Sequence, residues 1–218
     1  MDVISQNYNQ GYLNAKLQQA SKKFGLTGRK DADSHDRLPP GQYLTQQFPI
    51  LDLGVRPPLE LADFNLKLSG EIENPAVLDS RQFLSLPSQE IKRDFHCVTR
   101  WTKYDVTWKG VPFKEILSLA KPKAGVMHVI FESREGYSTN ITMEEALKDD
   151  VIVAYELEGQ PIHLMHGGPV RMIVPQLYGW KSAKFLNAIK FVVKDEPGFW
   201  EVRGYNNHAD PWMEERYS

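Results

Sequence analysis

One cysteine, Cys97, stands in 218 residues. A single thiol excludes an intrachain disulfide, a cysteine-based zinc finger and a c-type haem site, each of which needs more than one. Long apolar runs are missing: none approaches the roughly 18 residues that a bilayer span requires. The stretch Met1 to Ala20 has no charged segment followed by an apolar one, so no secretory signal is read and the expected location is cytoplasmic. The net charge is only −2, which gives no general attraction to nucleic acid or to an anionic membrane. No GxSxG, P-loop, GxGxxG or helical HExxH pattern occurs, so serine hydrolase, nucleotide hydrolase, dinucleotide-binding and zinc-protease readings lack support. Internal repeats are also missing, which excludes a solenoid or propeller.

What is present suits one folded body. Hydrophobic residues make up 41% of the chain, enough for a core. Residues 1–40 are polar, carry the charged run 28–37 and end in Pro39-Pro40; they read as an N-terminal arm with a short helix over 12–24, ahead of a single domain over 41–218. In that domain Pro and Gly separate short strand-like stretches at 65–69, 127–131, 152–157, 170–174 and 188–193. Two short helices fit 111–119, by its amphipathic spacing, and 142–148, where Thr142 and Glu145 have the spacing of a capping box. Strands outnumber helices and do not alternate regularly with them. The expected class is α+β with a mixed, strand-rich core. The aromatic, charged segment 204–217 reads as a loop and tail packed back on the body.

A local absence is the strongest chemical signal. From Gly159 to Lys194 there is no Asp or Glu, yet Arg171, Lys181, Lys184, Lys190 and Lys194 all fall inside. At the chain's own acid frequency, that stretch should hold about four or five acids. In Val170-Arg-Met-Ile-Val174, strand alternation puts Val170, Met172 and Val174 on one face and Arg171 with Ile173 on the other. A guanidinium in so apolar a strand needs a partner. Either a distant carboxylate supplies it, or Arg171 and one or more lysines hold a phosphate or other anionic cofactor. Gly167-Gly168-Pro169 before the strand offers a turn whose backbone can approach a ligand. The second signal is Phe95-His-Cys-Val-Thr-Arg-Trp101. Cys97 is either a small buried hydrophobe or, next to His96 and near Arg100, a thiolate able to act as nucleophile or soft metal ligand. His163 and His166 sit in a segment read as strand-like, so they would point to opposite faces and not share a metal.

Four separated motifs, in order, carry a resemblance. Cys97-Val-Thr-Arg-Trp101, then Trp108-Lys-Gly-Val-Pro112, then Tyr137-Ser-Thr-Asn-Ile141, then His166-Gly-Gly-Pro-Val-Arg171 running on to Tyr178-Gly-Trp-Lys-Ser-Ala-Lys184 resemble the sulfite-oxidase-like molybdopterin oxidoreductases, in particular their small stand-alone prokaryotic members, which include the closing Gly204-Tyr205…Asp210-Pro-Trp…Glu214-Glu-Arg-Tyr217. The resemblance covers about residues 40–218. It implies the mixed α+β catalytic domain of that family and a molybdenum–molybdopterin cofactor. It makes Cys97 the thiolate on molybdenum, with two further sulfurs from the pterin. It makes Arg171 the arginine that grips the cofactor, and Lys184 with the backbone of Ser182 and Ala183 the phosphate-binding turn. His166 stands where the family has His or Asn, Ser133 where some members have a hydroxyl residue, and Tyr137 where a tyrosine lines the substrate pocket. Nothing is carried over for Phe48 to Gly54.

The sequence departs from sulfite oxidases after the cysteine, where Arg100 is the nearest basic residue for an anion. It also contains neither a haem domain nor a dimerisation domain. The implied activity is therefore two-electron oxygen-atom transfer on a small oxyanion or S-oxide, with Cys97, Tyr137 and Arg100 as the catalytic candidates. Electrons would pass to or from a separate partner protein. Two other readings stand beside it: a pterin-binding carrier without turnover, and a thiol enzyme using Cys97 as nucleophile, which would not need the acid-free cationic segment.

Overall fold

In a computed structural model of the chain, the structure describes residues 37–218 together with Gly11 and Asn14. Apart from Asn14, the residues of the helix expected over 12–24 lie outside the described residues. The strands are β1 (Tyr43–Leu44), β2 (Asn65–Gly70), β3 (Ala76–Asp79), β4 (Gln89–His96), β5 (Trp101–Pro112), β6 (His128–Ser133), β7 (Ser138–Thr142), β8 (Ile152–Leu157), β9 (Gln160–Pro161), β10 (Arg171–Ile173) and β11 (Leu186–Val192). Short helices run over Ser80–Leu84, Phe113–Ala120 and Met143–Ala146. The strand-rich α+β class holds. Among the described residues no helix is long and apolar enough to cross a membrane.

The strands form two sheets. In the first, β5 is the spine: β4 runs antiparallel along one side of it, while β1 (at Trp101 and Thr102) and β8 (from Trp108 to Pro112) share the other. β8 then pairs with β10 and β9. The second sheet has the order β3-β2-β11-β6-β7, with β2 and β11 parallel. Alternation decides which face each side chain takes. Val170, Met172 and Val174 enter a core cluster with Leu66, Leu68, Val129, Phe131, Ile189 and Phe191 of the second sheet. Ile173 joins Val106, Trp108, Ile152 and Ala154 in the other cluster. The split expected for the Arg171 strand is the one observed.

Some boundaries differ from the sequence reading, for local reasons. The helix expected from 111 begins at Phe113, because β5 continues to Pro112. It buries Phe113, Ile116 and Ala120 along one face and ends at Lys121 with φ 50°. A full capping box occurs at Asp79 and Gln82, ahead of Ser80–Leu84, and not at Thr142. The Thr142 hydroxyl does accept from the Glu145 amide (3.2 Å), but the Glu145 carboxylate turns to Lys148 Nζ (2.8 Å). The segment with His163 and His166 is a 3-10 turn (Leu164–His166), not a strand.

A buried polar knot ties the C-terminal segment to the body. Lys181 Nζ, with no exposed surface, lies 2.7 Å from Glu201 Oε1 and donates to Asn140 O and Oδ1 and to Asn207 O. The same Glu201 oxygen accepts from Thr139 and from the Trp180 indole. Replacing Lys181 with Met leaves a buried carboxylate without its cation. We expect unfolding free energy to fall by about 3–5 kcal/mol, read by urea denaturation; an unchanged midpoint would remove the pair from the account of stability.

Candidate active site

The connection between β4 and β5 is Cys97–Arg100, and backbone bonds fix it at both ends. Arg100 N donates to Cys97 O (2.9 Å), Cys97 N to Trp101 O (2.9 Å), and Gln42 Nε2 to Cys97 O (3.1 Å). From behind, Arg216 Nη1 donates to Val98 O (2.9 Å) and Nη2 to Pro40 O (3.2 Å). The expected packing of the tail on the body thus braces the cysteine turn. Cys97 is 9% exposed and borders a cavity of about 140 Å³, with its sulfur 3.1 Å from Thr99 Oγ1.

Two cations line the same cavity. Arg171 is buried, and its guanidinium donates to the carbonyls of His166 (2.7 Å), Ser182 (2.9 Å) and Met172 (3.4 Å). It also lies over the Trp108 and Phe95 rings, 5.3 and 5.8 Å from their centroids. Among the described residues no carboxylate forms an ion pair with it, so the internal salt bridge is not the partner. Carbonyls orient the charge without neutralising it, and burial pulls the group down to about 9. Lys184 lines the same cavity, donating to Met165 O (3.1 Å), with Asp52 Oδ2 4.0 Å away. Burial and then Arg171 lower it to about 7. His166 lines the cavity too, its ring 5.1 Å from that of Phe48; burial and then Lys184 favour its neutral form.

Gly167 and Gly168 approach closely, but what they approach is the protein. A Cβ on Gly167 (φ 93°) would overlap the Lys184 side chain, and one on Gly168 would overlap the Ile162 carbonyl. We expect Gly168→Ala to cost about 1–3 kcal/mol of stability, as overpacking does, and to lower cofactor content by displacing the start of β10. Thermal melting with metal analysis checks both; a variant indistinguishable from the parent would contradict the close approach.

Not every candidate reaches the cavity. Cys97, Tyr137, His166, Arg171, Ser182 and Lys184 line it; Arg100, Ser133 and Ala183 do not. Arg100 has φ 77°, and its guanidinium lies beside Gly41 and Arg216 on the tail side of the turn. It does not face the cavity as an anion binder would. Ser133 and Ala183 are buried in the body, where Ser133 N bonds Tyr137 O and Ala183 O accepts from Met172 N. Tyr137 borders the cavity, but its hydroxyl donates to Trp180 O at 2.6 Å and its ring packs on Phe199. It belongs to the larger core cluster. His96 is also turned away, bonded to Thr102 Oγ1 (2.9 Å), and burial holds it neutral, down to about 4. It therefore gives the thiol no positive neighbour. Lys181 and Lys190 pair with Glu201 and Glu196, whereas Arg171 and Lys184 line the cavity. His163 caps its own turn through Met165 N, away from the cavity.

Several lining residues gave no sequence signal. They are Phe48, Leu51 and Asp52 from one loop, Glu135 beside the Tyr137 turn, and Trp200 ahead of the closing motif, whose Tyr205 also lines the cavity. Asp52 is kept charged by Arg56 (2.8 Å) and the Gly54 amide. Burial pushes Glu135 up to about 8. Among the described residues no cluster of three or more His, Cys, Asp or Glu could hold a metal by itself. The lining combines one soft sulfur with the buried Arg171 guanidinium and the half-buried Lys184 ammonium, which fits a metal whose remaining ligands arrive on an anionic cofactor.

The profile of the oxidoreductase molybdopterin binding domain matches residues 53–200. The chain belongs to that family. It is similar to the "uncharacterized oxidoreductase YuiH" of Bacillus subtilis, 37% identical over 89% of this chain and 98% of that one. It is also similar to the protein-methionine-sulfoxide reductase catalytic subunit MsrP of Burkholderia mallei, 29% identical over 67% of this chain. Here the chain spans about half the relative's length (49%). In fold it matches the sulfane dehydrogenase SoxCD from Paracoccus pantotrophus with a TM-score of 0.61, at 20% identity over 72% of this chain and 46% of that one. The chain is thus a molybdopterin-dependent oxidoreductase of the sulfite-oxidase-like group, and its cofactor is molybdenum–molybdopterin.

Proposed function

We propose that the chain carries out two-electron oxygen-atom transfer on an S-oxide or small oxyanion and exchanges electrons with a separate partner protein. The carrying observation is that the Cys97 sulfur borders the same cavity as Arg171 and Lys184. In this reading Cys97 supplies the protein's thiolate, while Arg171, Lys184, Ser182 and His166 hold the cofactor's anionic and polar groups. The cofactor, when bound, supplies the two-electron redox chemistry. The chain's own residues hold it, keep water out and manage protons. Phe48, Phe95, Trp101, Trp180 and Trp200, with Pro49, Leu51, Leu53 and Val98, give the cavity a mainly apolar lining, which strengthens each electrostatic contact inside it. Reduction of an S-oxide consumes two electrons and two protons and releases water. Glu135, raised to about 8, keeps a proton on its carboxyl at neutral pH within the same cavity. Tyr137 supports this wall through its bond to Trp180 O and acts on substrate through the cavity's shape. Its exchange for Phe should cost about 0.5–1.5 kcal/mol of stability, with a smaller loss of kcat/KM than loss of a direct substrate contact would give.

The burial of Glu135 has a pH signature. Its folded-state value, about 8, exceeds its ordinary 4.5, so the folded chain binds the extra proton between those limits. Stability therefore falls as pH rises through that window, by at most about 1.4 kcal/mol per unit. Lys184 acts in the opposite sense above about 7, because its value is lowered from 10.5. His96 and His166, both lowered from 6.5, also act in the opposite sense below that value, so Glu135 is read from the difference between two proteins. Across pH 5 to 7, urea unfolding of cofactor-free protein should show the stability of Glu135→Gln falling less, or rising more, with pH than that of the parent; an identical dependence would contradict the buried carboxylic acid.

Function is tested by metal analysis of purified protein, followed by turnover of oxyanions and sulfoxides with an artificial electron donor or acceptor. Stoichiometric molybdenum with turnover supports the proposal. Stoichiometric molybdenum without turnover on any of them supports a carrier.

A further inference from the structure

Thr99 has no place in the reading above, although it lines the cavity and its hydroxyl lies 3.1 Å from the Cys97 sulfur. The contact is built in rather than incidental. The turn is closed by Arg100 N on Cys97 O, the strand pair beyond it by Cys97 N on Trp101 O, and Val98 O is held by Arg216. Arg100 takes up the left-handed backbone (φ 77°) that brings the chain back into β5. A β-branched side chain on so constrained a backbone has few χ1 choices. Among the described residues the Thr99 hydroxyl has no other side-chain partner. A thiolate bound to a metal has no proton to give, so in the loaded protein the hydroxyl must be the donor and the sulfur the acceptor.

We infer that Thr99 is a positioning residue for the metal site: its hydroxyl donates to the Cys97 sulfur, fixes the direction of that ligand and withdraws electron density from it. The inference rests on the reading of Cys97 as the molybdenum ligand. A hydrogen bond to a ligating sulfur weakens its donation to the metal and favours the reduced state. Valine has nearly the same shape as threonine and cannot donate, whereas serine can.

The test uses the full-length, cofactor-loaded chain as parent, Thr99→Val, Thr99→Ser and Cys97→Ser. Three quantities are read: molybdenum content, the midpoint potential from a redox titration, and the sulfur-to-metal charge-transfer absorption. Thr99→Val should bind molybdenum, show a lower midpoint potential and shift the band to lower energy; Thr99→Ser should return both to the parent values. An altered fold alone would not produce a shift that serine reverses. If Thr99→Val loads poorly, Thr99→Ala is read in its place. Parent-like potential and band in the hydroxyl-free variant would overturn the inference while leaving the ligand reading intact, as would a serine variant that behaves like valine. A band that survives Cys97→Ser unchanged would overturn the ligand reading and the inference with it.

Discussion

Cys97→Ser should fold like the parent, lose at least about 100-fold in oxygen-atom transfer and hold its molybdenum more weakly. The fold is expected to survive because the turn is fixed by backbone bonds through Cys97 N and O, none of which needs the sulfur. Serine is also smaller, so nothing in the cavity is displaced. The size of the loss follows from comparison: partners outside the ligand shell typically cost 10–100-fold when removed, and a ligand itself should cost more. A serine hydroxyl is a harder, weaker donor than a thiolate. Circular dichroism and thermal melting establish the fold, metal analysis the loading, and steady-state kinetics the turnover. Parent-like turnover with molybdenum bound would remove Cys97 from the metal. Turnover by metal-free parent protein would favour a thiol enzyme.

Arg171→Met should reduce cofactor retention by about 10–150-fold, the equivalent of losing a charge-assisted contact of roughly 1.5–3 kcal/mol. Methionine fills the space without charge and separates this effect from a cavity. Part of the cost will appear in stability as well, because the guanidinium satisfies the carbonyls of His166, Ser182 and Met172. Those bonds were not foreseeable from the sequence, which left the partner of Arg171 open between a distant carboxylate and an anionic cofactor. Arg171→Lys keeps a charge but cannot reach all three carbonyls, so it should recover only part of the retention. Equilibrium dialysis of the cofactor, with unfolding on the same samples, reads both quantities. Full retention in Arg171→Met together with early melting would make the residue a core organiser only.

The legible parts of this protein are those with local causes. The period-2 alternation around Arg171 predicted its face, and the acid-free stretch pointed to uncompensated positive charge at Arg171 and Lys184. The same stretch misled about Lys181, whose partner Glu201 lies beyond it, 20 positions further along. The β4–β5 hairpin that presents Cys97 was not read as strands. In β4 only Ile91, Phe95 and His96 are buried, while Glu90, Lys92 and Arg93 face solvent, as an edge strand permits. Arg100 looked like an anion binder by proximity to Cys97. A positive φ at that residue turned it towards the tail, and nothing in the residue type announces that. Asp52, Glu135, Trp200 and Tyr205 come from segments without periodic pattern, so only tertiary folding brings them to one cavity. The Tyr137 hydroxyl finds a carbonyl at Trp180, and such a long-range partner leaves no trace in spacing.

The central claim is that the sulfur of Cys97 is the protein's ligand to molybdenum in the cavity closed by Arg171 and Lys184. X-ray absorption at the molybdenum edge, on loaded parent and loaded Cys97→Ser, tests it most directly by counting sulfur neighbours of the metal. The account predicts one sulfur fewer in the variant. An equal sulfur count in the two proteins would contradict it.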